Sequence, residues 1–236
     1  MSQKEESYQF NEGGNYTITH VKGADEFVPS GIKITGRLDA PRHFLDAKKD
    51  IFNALSCTAV IDTDNGSIQV TFDEREVDAD VITGKLEADP AIAALGINKE
   101  TRYTPRELFN KLKRLGHLFA DREQYMIIQG KLNQFTAKVT KAHEDSQSNN
   151  GSLKKSLEVV VEGFEPIFFD LKVPVYKGLE PEPVAVEIAI DATGNEVKLF
   201  LDSVALDQLS VQRKAEALAV EADYFRQFGA SVVYQS

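Results

Sequence analysis

The 236-residue chain reads as an α+β fold, with an N-terminal β-hairpin-containing unit, a basic helical middle, and a C-terminal antiparallel β-meander packed on a long helix. Three observations predict it. Two β-rich runs flank Asn65-Gly66, a capping box opens a helix at Thr104, and the alternating Val184, Val186, Ile188 and Ile190 precede a long stretch whose apolar residues recur every three or four positions. Period two marks a strand with one buried face, and spacings of three and four mark a helix with one.

Residues 1–14 combine charge, Gln, Asn and Gly13-Gly14, and are expected as a mobile tail before an α+β unit over 15–100. Gly31 to Gly36 alternates like a half-buried strand. Asp39-Ala40-Pro41 then offers a helix entry, and Phe44, Leu45, Lys48, Ile51, Phe52 and Leu55 continue it as an amphipathic helix. Thr58–Asp62 and Ser67–Phe72 around Thr63-Asp64-Asn65-Gly66 predict a hairpin with a tight primed turn, because Asn and Gly tolerate positive φ. After an acidic connection from Asp73 to Asp80, Lys85 to Glu87 reads as a short strand. Asp89-Pro90 opens a small helix ending at Gly96.

The helical segment spans 101–142. Thr104-Pro105-Arg106-Glu107 has capping-box spacing with proline at the first helical position, predicting a helix from Pro105 to about Leu115. Gly116 ends or bends it, and a second helical stretch runs from Asp121 towards Val139. Residues 143–152, rich in Ser, Asn and Gln, have little to bury and read as an exposed loop. Within 153–236, Leu157–Phe164, Ile167–Tyr176, Val184–Ile190 and Val197–Leu201 read as strands, antiparallel because their connections are too short for parallel crossovers. Val211, Ala215, Leu218, Ala222 and Phe225 give the closing helix, Ala205 to Phe228, with Gly229 as its cap and the sheet's buried face beneath it.

Composition narrows the function classes. Cys57 is the one cysteine and has no internal partner, the four histidines form no ligand cluster, and a reducing cytoplasm is the expected setting. The first residues are polar and acidic where a signal peptide would be basic and then apolar, and no apolar run approaches the roughly 20 residues of a membrane span. Net charge is -10, unevenly spread: residues 1–100 carry 10 basic and 18 acidic side chains, 101–150 carry 9 and 5, and 151–236 carry 8 and 14. Only the middle is basic. Phosphate backbones are bound mainly by displacing counterions with Lys and Arg, so an acidic chain is a poor generic nucleic-acid binder unless those cations share one face.

No motif names a reaction. Asp62, Asp64 and Asp73 invite a cation, but glycine falls at the fifth position from Asp62 where a calcium loop needs it at the sixth. Asp170 and Lys172 with Glu158 or Glu162 on a neighbouring strand would mimic a magnesium-dependent nuclease core, although alternating charge on an exposed strand face is ordinary in an antiparallel sheet. Cys57 adjoins an apolar strand and reads as a small buried hydrophobe, and the glycines lack a phosphate-loop context. No cofactor or metal is expected. The remaining feature is the basic segment: Arg102, Arg106, Lys111, Lys113, Arg114 and Arg122 form a candidate binding surface, continued by Lys131, Lys138 and Lys141 and interleaved with Tyr103, Phe109, Phe119, Tyr125 and Phe135. Such a mixture clamps phosphates and stacks bases when the rings are exposed. Helical spacing of Leu108, Leu112, Leu115 and Phe119 instead assigns the rings to the core and leaves the cations solvated.

Pro90-Ala-Ile-Ala-Ala-Leu95, Tyr103-Thr-Pro-Arg-Glu-Leu-Phe-Asn-Lys-Leu112, the polar Ser/Asn/Gln break, Pro166-Ile-Phe-Phe-Asp-Leu-Lys-Val-Pro174, Val197-Lys-Leu-Phe-Leu201 and the final helix follow one another in an order that resembles the prophage and bacteriophage family of unknown function that includes YfdQ. The resemblance covers about residues 85–236. It departs where Lys111, Lys113 and Arg114 stand in a helix that is acidic in that family. It implies a phage-encoded protein acting inside an infected bacterium or in the virion, and it brings no catalytic residues.

The expected function is therefore non-enzymatic: protein–protein contact in host takeover, counter-defence or virion assembly, with homo-oligomer formation through opposite charge patches as one form. Nucleic-acid binding through the basic middle during phage replication or recombination is the alternative, and a metal-dependent nuclease the second. No membrane role is expected.

Overall fold

The computed structural model describes residues 5–9, 15–19, 31–48, 50–76, 78–148, 153–193 and 196–235. In chain order the strands and α-helices are β1 (Glu5–Gln9), β2 (Asn15–Thr19), β3 (Lys33–Arg37), α1 (Ala40–Lys48), β4 (Thr58–Asp62), β5 (Ser67–Phe72), β6 (Asp80–Lys85), α2 (Pro90–Leu95) and α3 (Pro105–Arg114). Then follow α4 (Arg122–Ser148), α5 (Leu153–Glu162), β7 (Ile167–Val173), β8 (Glu182–Thr193), β9 (Glu196–Asp202), α6 (Val204–Phe228) and β10 (Ser231–Gln235). The α+β class is as predicted. β1 and β2 pair antiparallel, so part of the expected tail is strand; positions 1–4 and 10–14, and His20, lie outside the described residues.

The N-terminal half builds a five-stranded sheet in the order β10-β4-β5-β6-β3. Its centre is antiparallel, while both outer strands run parallel to their neighbours. Alternation in β5 buries Ile68, Val70 and Phe72, which meet Ile61 of β4, Leu45 of α1 and Leu218, Ala222 and Phe225 of α6 in one core. The hairpin is as predicted, with Asp62 opposite Ser67. Its turn is not the two-residue primed form. Gly66 has φ +62°, Asn65 keeps negative φ, and Asp62 accepts hydrogen bonds from the Asn65 N–H and side-chain amide at 2.8 Å each, making a four-residue loop. Those bonds hold the Asp62 carboxyl below the usual range.

Five further readings are corrected. β3 is an edge strand and is largely exposed, with Ile34 45% accessible and Ile32, just before it, 41%. α1 ends at Lys48, leaving Ile51 and Leu55 exposed, and Asn53 caps a separate 3-10 turn over Ala54–Ser56. The strand expected at Lys85–Glu87 lies earlier, over Asp80–Lys85, and shares only Lys85 with the expected span. The strand expected over Leu157–Phe164 is helical to Glu162. Helix α4 also continues to Ser148 through the first part of the expected 143–152 loop, and 149–152 lie outside the described residues.

The C-terminal sheet is the predicted meander β7-β8-β9. Its inward residues, among them Phe169, Leu171, Val186, Ile188, Leu199 and Leu201, pack against Leu108 and Leu112 of α3, Ile128, Leu132 and Phe135 of α4, and Leu157 of α5. Helix α6 serves both cores. Its first turns pack on the meander through Leu206, with the Tyr176 hydroxyl donating to the Ser210 carbonyl at 3.1 Å and Arg213 paired to Glu182 of β8. Its later turns cover the five-stranded sheet before Gly229, φ +95°, turns the chain into β10.

Candidate functional site

The basic surface rests on how α3 is held. The Thr104 hydroxyl accepts from the Glu107 N–H at 3.3 Å, and the Glu107 carboxylate accepts from the Thr104 N–H at 2.8 Å, so two otherwise free amides are satisfied reciprocally. These bonds keep the Glu107 carboxyl below its ordinary range. Leu108 and Leu112 are fully buried, which turns Arg106, Lys113 and Arg114 outwards. Lys111, Lys113 and Arg114 also occupy the last turn, where cations face the negative end of the helix dipole.

Arg102 and Tyr103 are clamped to the edge of the meander. Tyr103 and Leu199 exchange backbone hydrogen bonds at 2.8 Å, the Tyr103 hydroxyl donates to the Leu95 carbonyl at 2.8 Å, and Arg102 Nε donates to Asp191 Oδ2 at 3.0 Å with its guanidinium over Phe200. Lys111 Nζ lies 4.9 Å from the centre of the Tyr103 ring. The result is an open cleft of about 680 Å³ between α2 and α3, whose charged lining is Arg102, Lys111, Arg114 and Glu107.

The structure therefore brings together Arg102, Lys111 and Arg114. Arg106 and Lys113 are exposed elsewhere on α3, and Arg122 stands at the exposed start of α4; none of these three lines the cleft. Among the described residues no ion pair engages Lys111, Arg114, Arg106, Lys113 or Arg122. The interleaved rings belong to the core. Tyr103, Phe119 and Phe135 are buried, Phe119 stacks on Phe169 at 5.0 Å, and Phe135 meets Phe164 edge-on at 4.8 Å. Phe109 and Tyr125 are partly buried, so none of the five interleaved rings is an exposed platform for bases.

The other candidates are dispersed. Asp170 and Lys172 lie on the exposed face of β7, whereas Glu158 and Glu162 are on helix α5, so the strand pair imagined for a nuclease core does not form. Among the described residues no three His, Cys, Asp or Glu side chains gather as a metal site. Cys57 is 1% exposed, burial pushes its thiol upward, and its Sγ donates to the Asn53 carbonyl.

Sequence reasoning missed a second cluster, in which Glu221 of α6 faces Arg42 of α1 at 3.5 Å. The signal was present: Glu221 falls three residues after Leu218 and four before Phe225, on the apolar stripe of its helix. Comparison of the chain with protein-family models, with curated proteins and with solved structures finds no match.

Proposed function

We propose that the protein is a non-enzymatic contact protein that receives an acidic segment of a protein partner in the cleft of Arg102, Lys111 and Arg114. One observation carries this reading: cations converge on an open cleft in a chain of net charge -10. Charge complementarity of this kind steers encounter and fixes register more than it adds raw affinity. Arg102, held by Asp191 and Phe200, is pre-ordered, which lowers the entropic cost of using it. The buried rings favour a protein segment over bases. A second copy of the chain is the other source of such a segment, because Glu74, Glu76 and Asp78 are exposed on the connection before β6. The resemblance of residues 85–236 to a prophage family supplies the setting of the proposal, an infected bacterium in which the partner serves host takeover, counter-defence or virion assembly.

A photo-crosslinker on cysteine at Asn110→Cys tests this, since Asn110 lines the cleft and native Cys57 is buried. The reading expects crosslinks to a protein segment rich in Asp and Glu, lost on Lys111→Glu with Arg114→Glu. Crosslinks chiefly to nucleic acid, or to segments without acidic character, would overturn it.

A further inference from the structure

A second cleft, of about 250 Å³, shares no lining residue with the first. It opens at the carboxyl ends of the parallel pair β3 and β6, where Arg37 lies opposite Lys85, and the first turn of α1, the Lys177–Leu179 connection and α6 complete it. Ligands commonly occupy the space beyond the carboxyl ends of parallel strands. Leu38, Leu86, Leu179 and Val220 give apolar walls, and Arg37, Lys85 and Lys177 give a basic rim. Gly178, with φ +90°, keeps that rim open for Arg37: a Cβ there would stand 2.8 Å from the guanidinium nitrogen.

Glu221 is the residue that folding alone does not account for. It is 3% exposed, its Oε1 stands 3.5 Å from Arg42 Nη1, and its Oε2 has no hydrogen-bond partner. A charge-assisted hydrogen bond is about 2.7–2.9 Å, so the Arg42 contact is loose. A buried carboxyl held this way costs free energy until a donor reaches it. The other acids of the cleft are engaged, Asp39 with Arg37 and His43, and Glu87 with Lys177. Among the described residues Lys85 has no ion pair. Among the described residues of the cleft, Glu221 Oε2 is therefore left without a hydrogen bond although Arg42 stands beside Oε1, and Lys85 is left without a carboxylate, with apolar surface between them.

We propose that this cleft binds a small amphoteric molecule of the α-amino-acid class. Its ammonium group meets the Glu221 carboxylate, its carboxylate turns to Lys85 and Arg37, and its side chain lies against Leu38, Leu86 and Leu179.

Titration of the isotope-labelled chain with L-leucine, followed through its backbone amide resonances, tests the proposal. Saturable shifts at Leu86, Gly178 and Val220 are expected. N-acetyl-leucine, without the ammonium, and leucinamide, without the carboxylate, should each bind at least about tenfold more weakly. Glu221→Gln should abolish the leucine shifts while the rest of the spectrum is kept, and Lys85→Ala should weaken leucine but leave leucinamide unchanged. The two leucine derivatives decide the matter on the native chain if Glu221→Gln does not fold. Equal binding of N-acetyl-leucine, shifts that never saturate, or no response to leucine or any other standard amino acid would overturn it.

Discussion

Phe225 sits where α6 closes the N-terminal core, fully buried against the sheet that carries Ile61, Ile68 and Phe72. Truncation to alanine removes the transfer free energy of the ring and leaves a cavity that neighbours fill only in part, about 3–5 kcal/mol for Phe→Ala. A domain of this kind holds roughly 5–15 kcal/mol in total, so Phe225→Ala leaves a marginal fold. At about 2–4 °C per kcal/mol for a chain of this size, the thermal midpoint should fall by about 6–20 °C. The consequence reaches further, because α6 also anchors on β8 through Arg213 and Glu182 and on the hairpin turn through the Lys214 ammonium donating to the Asp64 carbonyl. Leu199→Ala, in the other core and equally buried, should cost about 2–5 kcal/mol and shift the same transition. The assay is urea unfolding followed by circular dichroism and by tyrosine fluorescence, the chain having no tryptophan. Two separate transitions, each moved by only one substitution, would refute the picture of α6 as the brace between two sheets.

Thr104→Ala removes the hydroxyl of the α3 capping box and should destabilise by about 1 kcal/mol, read as a lower urea midpoint with unchanged slope. Glu221→Gln should flatten the dependence of stability on pH. Burial raises the Glu221 carboxyl above its ordinary 4.5, against the lowering effect of Arg42 and His43 and with Asp39 raising it further. A group whose folded value is raised adds stability that is complete below 4.5 and is lost as pH rises through the folded value. The variant should therefore gain on the native chain as pH rises from 4 towards 8, where urea midpoints are compared. The Glu182 carboxyl is held low by hydrogen bonds from Arg213, so its contribution is present above 4.5 and fades as pH falls through the folded value; Arg213→Gln should remove that acid-side loss. Cys57 should react with a thiol reagent only once the chain unfolds, at a rate that rises with urea in step with circular dichroism.

The hairpin, the α2 and α3 caps and the meander were legible because each depends on residues close in sequence: Asn65-Gly66, Asp89-Pro90, Thr104 with Glu107, and the alternation of β8. Helix α5 was not. Its run of β-branched residues, Val159, Val160 and Val161, suits a strand, yet Leu157, Val160 and Val161 also stand at helical spacing and bury against the meander core. Intrinsic preferences differ by only tenths of a kcal/mol per residue, so packing decides. Strand β10 was missed because its partner, β4, lies far away in the sequence, and parallel pairing leaves no local turn signal. The same holds for the sites. The basic helix was visible as composition, but the convergence of Arg102, Lys111 and Arg114 depends on Tyr103 docking to Leu199. The Glu221 cleft gathers residues from four separate stretches, 37–42, 85–87, 177–179 and 217–221, and its trace in the sequence was one carboxyl on an apolar stripe.

Fluorescence anisotropy with a labelled Asp- and Glu-rich peptide, run beside a labelled single-stranded DNA of equal charge, tests most directly whether the α2–α3 cleft is a seat for acidic protein segments. The account predicts saturable peptide binding that weakens with added salt and disappears on Lys111→Ala with Arg114→Ala, while Lys131→Ala with Lys138→Ala has no effect. Tighter binding of the DNA, or peptide binding indifferent to Lys111 and Arg114, would contradict it.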